Sequence, residues 1–286
     1  MENWFQLATE MVGGVMTNLP GTHSRLAVAY LDILGFKNMI KNGPLIDVAM
    51  KYDAYISTAT GMNQSLCGGS SEPQLFPRHP LGTPYCTRYV ISDSIILIAD
   101  GDDALSCLKL LVHTWRLVQA SLAHRMSVRG AIASGEMYFD LTKGIYLGHG
   151  LTAAYELEQR QNWVGVAIDK SVELAYPEIF PPASGQSSIL ESLFLKYPIP
   201  VKGGGVLEAR TLNWRWNMVV EDGTRSLFLP CDEKPGQEKI DNALEYARTV
   251  VETGRIYAED HGACPAELRA MFIGKSEPPF PHGDDL

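Results

Sequence analysis

Two apolar runs that each end in an acid constrain this chain more than any other feature. The first, LAVAYLDILGFK (Leu26 to Lys37), reads as a buried strand that stops at Asp32 and turns through Gly35 and Phe36. The second reads as two short strands, CTRYVI and SIILIA, joined by a tight turn with Ser92 and Asp93 at its tip. Each run carries one carboxylate to the exposed end of an apolar strand. If the strands are neighbours, Asp32 and Asp93 converge, and two acids held close repel unless a divalent cation sits between them. A single Asp at a strand end also serves as a turn former or a helix N-cap. It is the pair that points to a metal.

Four segments in order then resemble the class III nucleotidyl cyclases. YLDILGFK resembles the F-x-D-I-x-G-F signature of that family, and ISDSIILIA its G-D-x-x-M-A hairpin. VRGAIASGE (Val128 to Glu136) is similar to its R-I-G-I-H-x-G-E strand, and GHGLTAAYELEQ (Gly148 to Gln159) to its G-x-x-V-N-x-A-A-R-L-E helix. The resemblance implies an α+β fold, a ferredoxin-like or palm-like core with an antiparallel sheet and helices on one face, followed here by a C-terminal α/β elaboration. It also implies that Asp32 and Asp93 are catalytic and hold two Mn²⁺ or Mg²⁺ ions per site, with the Ile33 carbonyl as a further ligand. Gly35 and Phe36 then face the triphosphate. The substrate is a nucleoside triphosphate, and the sites lie at the interface of a two-fold homodimer.

Two departures from the family pattern sharpen the expectation. The base-reading Lys is replaced by Tyr89, next to Arg88, and the region of its acidic partner is Ile145-Tyr146, so the purine-reading pair is absent. In this the chain most resembles the bacterial pyrimidine cyclases of Pycsar anti-phage systems. That resemblance implies conversion of UTP to 3′,5′-cyclic UMP and diphosphate, the product switching on a separate effector. A cytidylate cyclase, an adenylate or guanylate cyclase and a non-catalytic nucleotide-sensing dimerisation module follow as alternatives. Arg88 has two roles open to it, pairing with a pyrimidine carbonyl or phosphate, and a strand-face salt bridge. The second departure is Thr152 and Glu156, which stand where the family carries its transition-state Asn and Arg. Glutamate cannot replace arginine opposite developing negative charge, so Arg129, Arg160, Lys196 and Lys202 are the candidates for that work.

Composition narrows the class further. The chain has 286 residues and a net charge of −9, which argues against a nucleic-acid binder resting on a cationic face. No apolar run approaches the ~20 residues of a membrane span, and the N-terminus has no basic, signal-like start. Five widely spaced cysteines without a CxxC suit reduced thiols, and the expected location is the cytoplasm.

Along the chain, residues 1–25 read as a helix and a turn-rich link, 26–180 as the catalytic core, and 181–286 as an elaboration completing it, with a disordered tail from about residue 276. Helical periodicity runs from Asn38 to Thr60, split at Gly43-Pro44. Residues 61–84 read as an inserted surface loop. The clearest helix spans Asp103 to His124, where His113 and His124 read as structural. Further helices are expected at Ile189–Leu195 and Glu238–Ala258, and strands at 206–216 and 217–222.

Overall fold

A computed structural model describes residues 21–66, 86–140, 143–180, 193–214, 228 and 234–252. The fold is α+β, with an eight-stranded sheet at its centre. The strands are β1 (Gly21–Ile33), β2 (Cys86–Ile91), β3 (Ser94–Ala99), β4 (Val128–Asp140), β5 (Ile145–Gly148), β6 (Gly165–Ile168), β7 (Phe194–Pro200) and β8 (Val206–Leu212). The helices are α1 (Phe36–Asn42), α2 (Leu45–Leu66), α3 (Ala104–Ala123), α4 (His149–Arg160), α5 (Lys170–Ala175) and α6 (Lys234–Glu252). Strand order is β2-β3-β1-β4-β6-β8-β7, with β5 paired to the far half of β4. The first four strands and the helices between them form the split β-α-β-β-α-β arrangement.

Apolar residues on both faces of β1 decide the layering. Ala27, Ala29, Leu31 and Ile33 join the large core against α3, where Leu110, Leu111 and Trp115 are buried. Leu26 and Val28 point the other way and pack with Ile98, Met137 and Phe139 in a second cluster, joined by Leu151 of α4. The expected single helical layer is therefore corrected: α4 packs on the face opposite α3. A strand apolar on both faces must be covered on both. The sheet is also not wholly antiparallel, since β4 and β6 run parallel from Arg129↔Gly165 to Ile132↔Ile168. The α4 crossover between them permits the parallel pairing.

Several boundaries differ from the sequence reading. β1 begins at Gly21, because Gly21, Thr22 and His23 pair with Phe139, Tyr138 and Met137. Residues 61–66 continue α2 instead of opening a loop. Phe194 and Leu195 open β7 where helix was expected, paired across to Leu212 and Thr211. The remainder of the 61–84 segment, strand 217–222, the first residues and the tail lie outside the described residues. Two readings hold closely. Gly43-Pro44 separates α1 from α2, and the helix expected from Asp103 to His124 is α3, whose first turn Asp103 caps by accepting from the Ser106 N–H at 3.0 Å. His113 is buried in the core, and His124 bonds to the Thr58 hydroxyl at 2.8 Å.

Close backbone approach seats α4. A Cβ on Gly135 of β4 would sit 2.7 Å from the Gly150 backbone nitrogen, and Gly150 itself lies against the Leu26 carbonyl. Neither obstacle is a side chain that can swing away. Gly135→Ala is accordingly expected to destabilise the protein by about 1–3 kcal/mol. Urea unfolding measures it, and an unchanged midpoint would mean that α4 is not held by this contact.

Candidate functional site

The β1–β3 register brings the two sequence-singled acids to one end of the sheet. Asp32 lies opposite Ser94, and Asp93 occupies the adjoining two-residue turn, where Ser92 adopts a positive φ of 57°. The Ile33 N–H donates to the Asp93 carbonyl at 2.9 Å, tying the turn to the end of β1. Asp32, Ile33 and Asp93 are thus neighbours through backbone pairing alone. Strand parity sets Tyr30, Asp32, Ser94 and Arg129 on the α4 face. There the Tyr30 and Ser94 hydroxyls are 2.8 Å apart, and Tyr155 of α4 meets the Tyr30 ring edge-on at 5.3 Å.

Charge at this end is unevenly shared. Arg129, 4% exposed, donates through Nε to Glu158 Oε1 at 2.5 Å and through Nη1 to the Gln161 carbonyl at 3.0 Å. Glu158 of α4 is fully buried, and Arg129 Nη2 also pairs with it. Asp32, 22% exposed, receives only the longer contact, Nη2 to Oδ2 at 3.9 Å. The Asp32 carboxyl is pushed up to about 6, by burial first and by the like charges of Glu158 and Asp93, against the opposing pull of Arg129 and Lys239. The nearest guanidinium is committed elsewhere, and a second carboxylate sits close by. Such a hard, under-compensated oxygen pair fits a divalent cation of the Mg²⁺ or Mn²⁺ type. Among the described residues no three His, Cys, Asp or Glu side chains gather into a metal-holding group. Any ion here would therefore take its other ligands from backbone, water or substrate.

The remaining sequence candidates separate. Gly35, at φ 78°, forms the turn before α1, and its carbonyl accepts from the Asn38 and Met39 N–H groups. Phe36 packs edge-on against Tyr52 with centroids 5.7 Å apart. Arg88 pairs with Leu97 and so projects to the α2–α3 face, away from Asp32, where burial lowers its guanidinium and Tyr55 and Tyr52 raise it. Tyr89 projects to the Asp32 face and packs on Tyr146 with centroids 4.1 Å apart. Thr152 lies in the first turns of α4, its hydroxyl donating to the Gly148 carbonyl at 3.1 Å. It is six residues, roughly 9 Å along the helix, from Glu158. Glu156 and Arg160 are exposed on α4, and Lys196 is exposed on β7.

Sequence reasoning treated Arg129 as a spare cation; the structure commits it to Glu158. Glu158 and Gln161 are not singled out by the sequence reading, although Glu158 stands four residues after Ala154 and seven after Leu151, and a carboxylate on the same helix face as apolar residues is a signal that a partner exists. Gln161 donates to the Gly130 carbonyl at 2.9 Å and accepts from Trp163 Nε1 at 2.6 Å, which fixes the chain as it leaves α4.

No protein-family model and no curated protein matches this chain. Among solved structures it is similar to the adenylyl cyclase CyaB from P. aeruginosa (11% identity, 67% of this chain, 95% of that chain, TM-score 0.45). It is also similar to the guanylate cyclase domain of RhGC from Catenaria anguillulae in complex with GTP (12% identity, 68% and 98%, TM-score 0.42). A bacterial light-regulated adenylyl cyclase resembles it at 13% identity (68% and 92%, TM-score 0.41). No described helix is long and apolar enough to cross a membrane.

Two expectations follow from the charges. Glu158→Ala leaves Arg129 buried without its main partner and should cost about 3–5 kcal/mol in denaturant unfolding. For Asp32 the folded carboxyl titrates near 6 against an ordinary 3.8, so folding favours the protonated form. That stabilisation is full below the ordinary value and is lost as pH rises through 6. In chelator, Asp32→Asn should therefore exceed the parent in stability at pH 8 by about 3 kcal/mol, the margin closing below pH 4. Melts across that window read it directly, and a margin independent of pH would refute the assignment.

Proposed function

We propose that this protein is a nucleotidyl cyclase acting on a pyrimidine nucleoside triphosphate, with UTP the favoured substrate and 3′,5′-cyclic UMP and diphosphate the products. One observation carries the reading: backbone pairing of β1 with the β2–β3 hairpin joins Asp32, Ile33 and Asp93, and leaves the Asp32 carboxyl raised with only a distant guanidinium contact. Asp32, Asp93 and the Ile33 carbonyl would hold two Mn²⁺ or Mg²⁺ ions. When bound, these neutralise the phosphates and lower the pKa of the 3′-hydroxyl. In the reaction the 3′-oxygen bonds to the α-phosphorus and the bond to the bridging oxygen breaks. Diphosphate leaves with that electron pair, and the hydroxyl proton passes to water.

The residues of the chain then divide the remaining work. The β1–β3 register holds the acids in fixed relation, and the Tyr30–Ser94 hydroxyl pair braces the strands beside them. Tyr89 and Tyr146, in ring contact, fill the positions where the resemblance expects a purine-reading Lys and acid. Two aromatic rings there leave no charged group to read a purine edge, and this favours the smaller base. Thr152, remote from Asp32 along α4, suits a two-fold homodimer in which a second copy completes each site. The cyclic product would serve as a second messenger for a separate effector in anti-phage defence. A second reading, a non-catalytic nucleotide-sensing module, is favoured only by Glu156 in place of arginine.

Incubation with each of the four triphosphates and Mn²⁺, with products identified by mass, tests the proposal. Cyclic UMP is expected, reduced at least about a hundredfold in Asp32→Ala and Asp93→Ala. Cyclic AMP or GMP would overturn the base assignment, and no product from any triphosphate would overturn the activity.

A further inference from the structure

One row of side chains crosses three strands of the α4 face just behind the acids. Tyr30 of β1 lies opposite Ile96 of β3, and Ile96 lies opposite Tyr89 of β2. All three are half-buried, and they stand one pleat, about 7 Å, from the row of Asp32 and Ser94. At the β1 end of this row Tyr155 of α4 stands beside Tyr30. The two ring planes meet at 85° with centroids 5.3 Å apart, so they form a corner, and Tyr155 keeps 46% of its surface exposed. Both walls of the corner are held. The Tyr30 hydroxyl lies 2.8 Å from that of Ser94, and Tyr155 precedes by about one helical turn Glu158, which the buried Arg129 fixes. Arg129 itself lies opposite Asp32 in the β1–β4 register. At the other end of the row the Tyr89 ring packs on Tyr146.

We infer that Tyr155 is a specificity-determining residue whose ring stacks on the pyrimidine base of the substrate. This rests on the cyclase reading and extends it from the phosphates to the nucleoside. A nucleotide whose α-phosphate meets the metals of Asp32 and Asp93 can lie in two directions. Toward the turn at Gly35 lies the ground that the resemblance gives to the triphosphate; back along β1 lies the row of Tyr30, Ile96 and Tyr89. That row offers apolar and aromatic surface without a charge, which suits a base and a sugar and not a phosphate. Tyr155 is also a departure of this chain. In the G-x-x-V-N-x-A-A-R-L-E pattern its place is held by the second alanine. A phenol there in place of a methyl group supplies a stacking surface and narrows the floor on the α4 side, while Tyr89 and Tyr146 bound it on the other. A one-ring base fits between these walls better than a two-ring base does. A half-exposed tyrosine on a helix is ordinary by itself; the perpendicular ring, its braced hydroxyl and the acids one pleat away assign this one.

Calorimetric titration of the full chain with 3′-deoxyuridine triphosphate and Mn²⁺ reads the contact without turnover, because this probe lacks the attacking hydroxyl. Tyr155→Ala should weaken its binding about tenfold and leave inorganic tripolyphosphate, which carries no base, bound as in the parent. Preference for the uridine probe over 3′-deoxyadenosine triphosphate should narrow by about the same factor. Tyr155→Phe keeps the ring and should bind every probe as the parent does. Unchanged affinity for the uridine probe in Tyr155→Ala, an equal loss of tripolyphosphate, or a phenylalanine variant as weak as the alanine one would overturn the inference. So would a parent protein that does not bind the uridine probe. The cyclase reading fails separately: a parent that binds this probe yet forms no cyclic product from any triphosphate would leave the stacking contact standing.

Discussion

The buried pairing of Arg129 with Glu158 ties the central sheet to α4 and to the chain that follows it. It joins β4 to α4 across the sheet face that carries Asp32, and it lies where an unpaired charge would be costly. The guanidinium also holds the Gln161 carbonyl, and Gln161 in turn holds Gly130 and Trp163. A single side chain thereby sets the angle at which α4 leaves the sheet and the path of the chain into β6. The β7–β8 hairpin and α6 dock on that path.

The same pairing shapes the chemistry by what it withholds. With Glu158 as its close partner, Arg129 gives Asp32 only a distant contact, and Asp93 adds like charge. Stability and site chemistry oppose each other here. A fold selected for stability alone would have neutralised Asp32 directly; this one leaves it buried, raised and in want of a cation. That arrangement makes sense if the missing charge arrives with a ligand.

Aromatic packing performs a second division of labour. Trp163 stacks on Tyr197 and meets Tyr246 edge-on, locking β7 and α6 to the start of β6. Across the sheet, Tyr89 and Tyr146 fill the space beside the Asp32 face with rings instead of charges. The first cluster holds the later part of the chain against the central sheet. The second bears on what a bound base would meet.

The strands, the tight turn and the acids at their ends can be read from the amino-acid order, because β-branched apolar runs and a two-residue turn are local properties of the chain. Asp32 and Asp93 are legible for that reason, as are the Gly43-Pro44 break and the start of α3 at Asp103. Tertiary structure alone decided which face each side chain took and which charges met. Neighbouring residues on β2 were read together, yet strand parity sends Arg88 to one side of the sheet and Tyr89 to the other. Arg129 looked available in the sequence because its partner, Glu158, lies on a helix whose docking angle no local pattern encodes.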